Sequence, residues 1–151
     1  MANTLPGTPP TTSAKRPEFR NIHALTDLPN YRLPPAGIVS ILHRISGALM
    51  FLLMPFVIWL FDVSLTSEVS YDTFRSAYLA GIGFVPGWFV KLVTLGLIWG
   101  YLHHFCAGVR HLWMDMTHSV SKEQGRISAI ATLVISLVLT VLLGAKLFGL
   151  F

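Results

Sequence analysis

The chain has 151 residues, of which 53% are hydrophobic and only 12% charged, with a mean hydropathy of +0.62. An ordinary soluble domain carries about 25% charged residues, and a chain of this length cannot hide so much apolar side chain in a core of its own, so lipid must be the solvent for much of it. The net charge of +4 is spread rather than clustered, which reads as membrane topology and not nucleic-acid binding, and the single cysteine, Cys106, excludes an intrachain disulfide and reads as a small packing residue.

Residues 1–35 are unlike the rest. They are rich in Pro and Thr and have no apolar run. They lack the basic start and apolar stretch of a signal peptide and the Arg content of a transit peptide. The expectation is a largely irregular cytoplasmic segment, with its first dozen or so residues mobile.

Residues 36–61 carry enough apolar residues for a first transmembrane helix. Pro34-Pro35 can open it, and Pro55 is a candidate kink. Its first third holds Ser40, His43, Arg44 and Ser46. Residues 62–84 read as a polar loop with Asp62, Glu68, Asp72 and Arg75, in which Tyr71 to Tyr78 has room for a short interfacial helix. Pro86-Gly87-Trp88 marks re-entry, with Trp88 at interface level. The second span is expected over 87–113, a short hydrophilic turn over 114–126 and a third span over 127–150. The third carries no ionisable group before Lys146 and reads as packing. The fold class is therefore all-α: residues 36–151 form one three-helix transmembrane domain. Five Lys and Arg up to and including Arg44 and three more over 110–126 lie on one side, against Arg75, Lys91 and Lys146 on the other, which predicts a cytoplasmic N-terminus and a C-terminus outside.

The second span carries Gly96, Gly100, His104 and Gly108 at four-residue spacing, and so on one helix face. Such a face suits a flat, bulky ligand reached by the histidine, and a haem b contact is the working hypothesis. Small residues at this spacing equally let two membrane helices pack closely. His43 lies about seven residues into the first span and His104 about eight from the cytoplasmic end of the second, which puts each roughly 10–12 Å below the surface of the hydrocarbon. Ionisable groups at matched depth on two helices point to a shared site.

Two axial ligands of one haem iron must approach from opposite faces of the ring. His103 and His104 are about 100° apart on one helix, and His104 and His111 lie on one face, so neither pair can sandwich a ring. The second ligand is then His43 or a residue of another subunit. His103 lies off the glycine face and reads as packing. His111 and Asp115 form an i,i+4 pair beside Arg110 at the cytoplasmic boundary. They read either as an interface anchor or as contacts to a haem propionate. Ser40 and Arg44 also share a face. A hydroxyl and a guanidinium there suit a quinone, the one bonding a carbonyl oxygen and the other stabilising a reduced oxygen. The competing reading is Arg44 reaching lipid phosphate and Ser40 bonding its own helix.

Arg16-Pro17, Ser40-Ile-Leu-His-Arg-Ile-Ser-Gly47 and His104-x-x-x-Gly108-Val-Arg-His-Leu-x-x-Asp115 together resemble the cytochrome b membrane-anchor subunit of succinate dehydrogenase, respiratory complex II, over about residues 16–150. The resemblance implies that His104 is one axial ligand of haem b and that the opposite ligand comes from a second small anchor subunit. It implies that Ser40 and Arg44 bind quinone, with the less secure Leu33 walling the pocket. His43, Arg44, Arg110, His111 and Asp115 would form the polar support around the haem propionates. The implied role is non-catalytic alone. With flavoprotein and iron–sulfur subunits, in a bacterial inner membrane, the chain would pass electrons from succinate to ubiquinone in the tricarboxylic acid cycle and respiratory chain. It has neither a flavin-binding glycine fingerprint nor a cysteine cluster of its own. The anchor of fumarate reductase and a cofactor-free structural membrane subunit are the alternatives.

Overall fold

A computed structural model describes residues 21, 23, 25–27, 30–118 and 121–150. The expected mobile start and the Arg16-Pro17 motif lie outside the described residues. The chain divides into two compact units after Arg32. In the first, a turn closes where the Asp27 carboxylate accepts from the His23 backbone N–H at 2.9 Å.

The second unit holds four helices: α1 (Pro35–Thr66), α2 (Glu68–Leu79), α3 (Gly87–Thr117) and α4 (Lys122–Leu147). Three of them, α1, α3 and α4, are long and apolar enough to cross a membrane. At 1.5 Å per residue they run to about 48, 46 and 39 Å, more than the roughly 30 Å hydrocarbon layer requires. Pro35 stands in the first turn of α1, where its missing N–H costs nothing. Pro55 lies inside α1, which continues through it.

The helices are longer than the sequence suggests, because hydroxyl side chains satisfy their ends. Ser64 and Thr66 donate to the carbonyls of Phe61 and Asp62 at 2.7 and 2.8 Å, which carries α1 five residues past its expected end at 61. Ser67 then forms a capping box with Ser70 and starts α2 at once. The expected 62–84 loop is therefore mostly helix. It finishes in a two-stranded antiparallel hairpin, β1 (Gly81–Ile82) with β2 (Val85–Pro86). Gly81 holds φ +105° there, a conformation that disfavours any side chain. At the other end, α3 stops where His118 turns left-handed at φ 53°. A second capping box, Ser121 with Gln124, starts α4 five residues before the expected 127. Residues 114–117 and 122–126 of the expected turn are therefore helical.

The interior is built from small and polar residues. Val39, Ala107 and Ala129 form the buried apolar cluster, one from each long helix. Helix α4 buries Ala129, Thr132, Ser136, Thr140 and Gly144, a small-residue stripe at three- and four-residue spacing. Its hydroxyls donate to their own backbone, Thr140 to Ser136 O at 2.7 Å and Thr132 to Ser128 O at 2.9 Å. Gly144 admits Leu95, whose Cδ1 would lie 2.8 Å from an added Cβ. The large apolar residues mostly face outward, as helices solvated by lipid require.

Candidate functional site

The site forms where the first third of α1 crosses the second half of α3. His104 points at α1. Its Nδ1 lies 3.1 Å from the His43 backbone carbonyl and 3.1 Å from Ser46 Oγ. Ser46 Oγ in turn donates to the same His43 carbonyl at 3.0 Å. In the tautomer that donates Nδ1–H to this carbonyl, Nε2 carries the lone pair, and it makes no hydrogen bond among the described residues. That is the arrangement a metal-ligating histidine needs: one nitrogen anchored, the other free. Gly47 makes room for the ring, since a Cβ there would sit 2.9 Å from His104 Cε1.

His43 fills the space between His104 and His111. Its ring stacks on His104 with centroids 4.1 Å apart and 21° between planes, and it meets His111 at 5.3 Å. Gly108 leaves the gap that His43 occupies, with His43 Nε2 3.8 Å from where a Cβ would be. The two stacked rings lie face to face. They do not point their nitrogens at each other across a common ring, as two axial ligands must.

Ser40 and Arg44 belong to the same helical turn as His43. Ser40 is half-buried, and Arg44 is exposed with its guanidinium making no hydrogen bond or ion pair among the described residues. Leu33 is half-buried against the start of α1, its Cδ2 3.6 Å from where a Cβ at Gly37 would lie. His111 is half-buried, and Asp115, one turn on, is exposed and unpaired. The structure thus brings His43, His104 and His111 together and puts Ser40 and Arg44 one turn or less away along α1.

Arg110 is placed differently. It is 8% exposed and turns to α4, donating from Nε to Ser128 Oγ at 2.9 Å and from Nη2 to the Gly125 carbonyl at 3.2 Å. A helix advances 100° per residue, so the buried residues 103, 107 and 110 share one face of α3 while 104, 108 and 111 share the face toward α1. His103 is fully buried on that first face and stacks on Trp99 at 5.5 Å. Neither of its ring nitrogens has a hydrogen-bond partner among the described residues.

The glycine stripe divides as well. Gly108 receives His43, but Gly96 and Gly100 have nothing within 4 Å of an added Cβ. No described residue fills the space beside either glycine. The close approach to His104 comes from Gly47 and Ser46 on α1. Both stand at the end of the Ser40–Gly47 motif, but the sequence alone attaches no role to either, and the stripe on α3 draws attention away from them.

Comparison with known proteins points to one family. Residues 19–143 match the family model described as succinate dehydrogenase/fumarate reductase transmembrane subunit. The chain is 37% identical over 118 residues to the succinate dehydrogenase cytochrome b556 subunit of Coxiella burnetii, covering 78% of this chain and 90% of that protein. It is 31% identical over 112 residues to the subunit of the same name from Paracoccus denitrificans, covering 74% and 81% respectively.

Proposed function

We propose a mechanism from one premise: the chain belongs to the succinate dehydrogenase/fumarate reductase transmembrane subunit family, and within it is a cytochrome b membrane-anchor subunit of succinate dehydrogenase. It is a multi-pass protein of the inner membrane and works in a complex with a flavoprotein and an iron–sulfur subunit. The name cytochrome b556 borne by its relatives implies haem b.

In our reading, the chain supplies half of the haem site and part of the quinone site. A b-type haem supplies a one-electron carrier. The donor set fits it on one side. His104 presents an unengaged Nε2, while the His43 carbonyl and Ser46 fix its Nδ1 and Gly47 gives the ring room. The opposite ligand comes from a second small anchor subunit, because His43 is stacked on His104 rather than opposed to it. Gly96 and Gly100 keep the rest of the α3 face low for the ring. His111 and Asp115 offer polar support at the edge, and Arg110 serves instead to hold α3 to α4.

The quinone is the substrate, and ubiquinone is our assignment. Ser40 donates a hydrogen bond from its hydroxyl to one carbonyl oxygen. Arg44, with no partner of its own, balances negative charge as the other oxygen is reduced and before it takes a proton. Leu33 offers the head group an apolar wall. The N-terminus lies on the cytoplasmic side, where the soluble subunits dock and protons are available. The relatives' names favour succinate oxidation with quinone reduction over the fumarate reductase direction.

The observation that carries this reading is the 4.1 Å stacking of His43 on His104. It makes the Ser40–Arg44 turn and the ligand-bearing helix one site. Ser40→Ala and Arg44→Ala in the intact complex test it. Quinone reduction is expected to fall while succinate oxidation by an artificial acceptor is kept. Unchanged quinone turnover in both variants would return Arg44 to lipid phosphate and Ser40 to its helix backbone.

A further inference from the structure

At the opposite end of the bundle from Arg44, α2 lies across the start of α3. Tyr71, Phe74, Arg75, Tyr78 and Leu79 follow one another at helical spacing, so α2 turns one face inward. With Lys91 of α3, that face lines a cavity of about 220 Å³. A second cavity of about 390 Å³ also includes Tyr78, Leu79 and Lys91, and adds Trp88 and Phe148. The crevice is held in shape by Gly87, where a Cβ would come 2.7 Å from the Tyr78 carbonyl.

The two cations in this crevice have no anion among the described residues. Lys91 Nζ stands 5.7 Å from the Phe148 ring centroid, a cation–π contact and not an ion pair. Arg75 makes no hydrogen bond, ion pair or ring contact among the described residues. Glu68 and Asp72 are on the same helix, and neither lines either cavity. The positive-inside rule gives no reason for Lys or Arg at this end. The crevice is amphipathic: Trp88, 60% exposed, lines it together with Leu79 and Phe148. Aromatic residues of this kind settle at the depth of lipid head groups.

We propose that this crevice is a binding site for the head group of an anionic phospholipid, its phosphate held between Arg75 and Lys91 and its acyl chains running down the lipid-facing sides of α3 and α4. A free inorganic anion would satisfy the two cations but not the apolar lining that Phe74, Leu79 and Trp88 put around them. A lipid accounts for both. The inference rests on α1, α3 and α4 spanning a membrane, and is independent of the haem and quinone assignments.

Native mass spectrometry of the intact complex, released from vesicles of phosphatidylcholine and phosphatidylglycerol, tests it. Wild type should retain phosphatidylglycerol in preference to phosphatidylcholine. R75Q together with K91Q should lower that retention about tenfold, each surface cation contributing a few-fold. R75Q alone should give an intermediate loss, R75K should restore it, and K122Q at the other end should leave it unchanged. Added inorganic phosphate should not displace the lipid. Equal retention of the two lipids, unchanged retention in the double variant, or displacement by inorganic phosphate would each overturn the proposal. The haem spectrum and quinone turnover of the same samples report separately on the central site.

Discussion

Ser46 Oγ and His104 Nδ1 lie 3.1 Å apart across the α1–α3 interface, and both address the His43 carbonyl. One helix thus orients the imidazole that the other carries. Groups that fix the far nitrogen of a metal-bound histidine commonly change metal affinity by about 10–100-fold when removed. Ser46→Ala should therefore lower haem retention at limiting haem by about tenfold and shift the haem midpoint potential, while Ser46→Thr, which keeps the hydroxyl, should largely restore both. A titration of haem content with a redox titration on the same samples checks this. Identical behaviour of Ser46→Ala and wild type would remove Ser46 from the site.

Gly47 and Gly100 should respond differently to a methyl group. At Gly47 it meets His104 Cε1 at 2.9 Å, whereas at Gly100 it meets nothing within this chain. Gly47→Ala should displace the ligand ring and weaken the b-type absorption band. Gly100→Ala should leave the isolated fold intact, and any loss of haem there reports on what the assembled complex brings to that face. Absorption spectra per mole of complex separate the two.

Arg110 should behave as a packing residue. Its two hydrogen bonds tie α3 to the first turns of α4, and it is almost fully buried. Arg110→Ala should cost about 1–3 kcal/mol through the lost charged hydrogen bonds and the unpaired α4 acceptor. A lower thermal midpoint of the complex is expected, with haem per folded complex unchanged. Loss of haem without loss of stability would restore Arg110 to the propionate role that the sequence resemblance implies.

His103 and His104 offer a contrast between neighbours. Both nitrogens of His103 are buried without a partner, so an apolar ring of similar shape removes a desolvation cost instead of a bond. His103→Phe should keep the haem band and leave thermal stability the same or higher. A loss of the band would show that His103 supports its neighbour.

The sequence makes the three spans legible because membrane-grade apolar runs are long and charged residues are sparse within them. It misplaces their ends because Ser64, Thr66, Ser67 and Ser121 read as loop residues yet act as caps. The α3 stripe leads to His104, since spacing along one helix is a local property. The partners of Arg110 and the room given by Gly47 depend on which helix lies opposite, which periodicity within one helix does not encode. His43 is the instructive case. Helical geometry alone leaves it open as an intrachain ligand, and only the stacked contact with His104 shows the two rings side by side.

The most direct test is the dithionite-reduced visible spectrum of the purified complex with His104→Ala beside His43→Ala. The account predicts that the b-type band is lost in His104→Ala and kept in His43→Ala, because His104 Nε2 is the ligand from this chain. A reducible b-type band surviving in His104→Ala would contradict it.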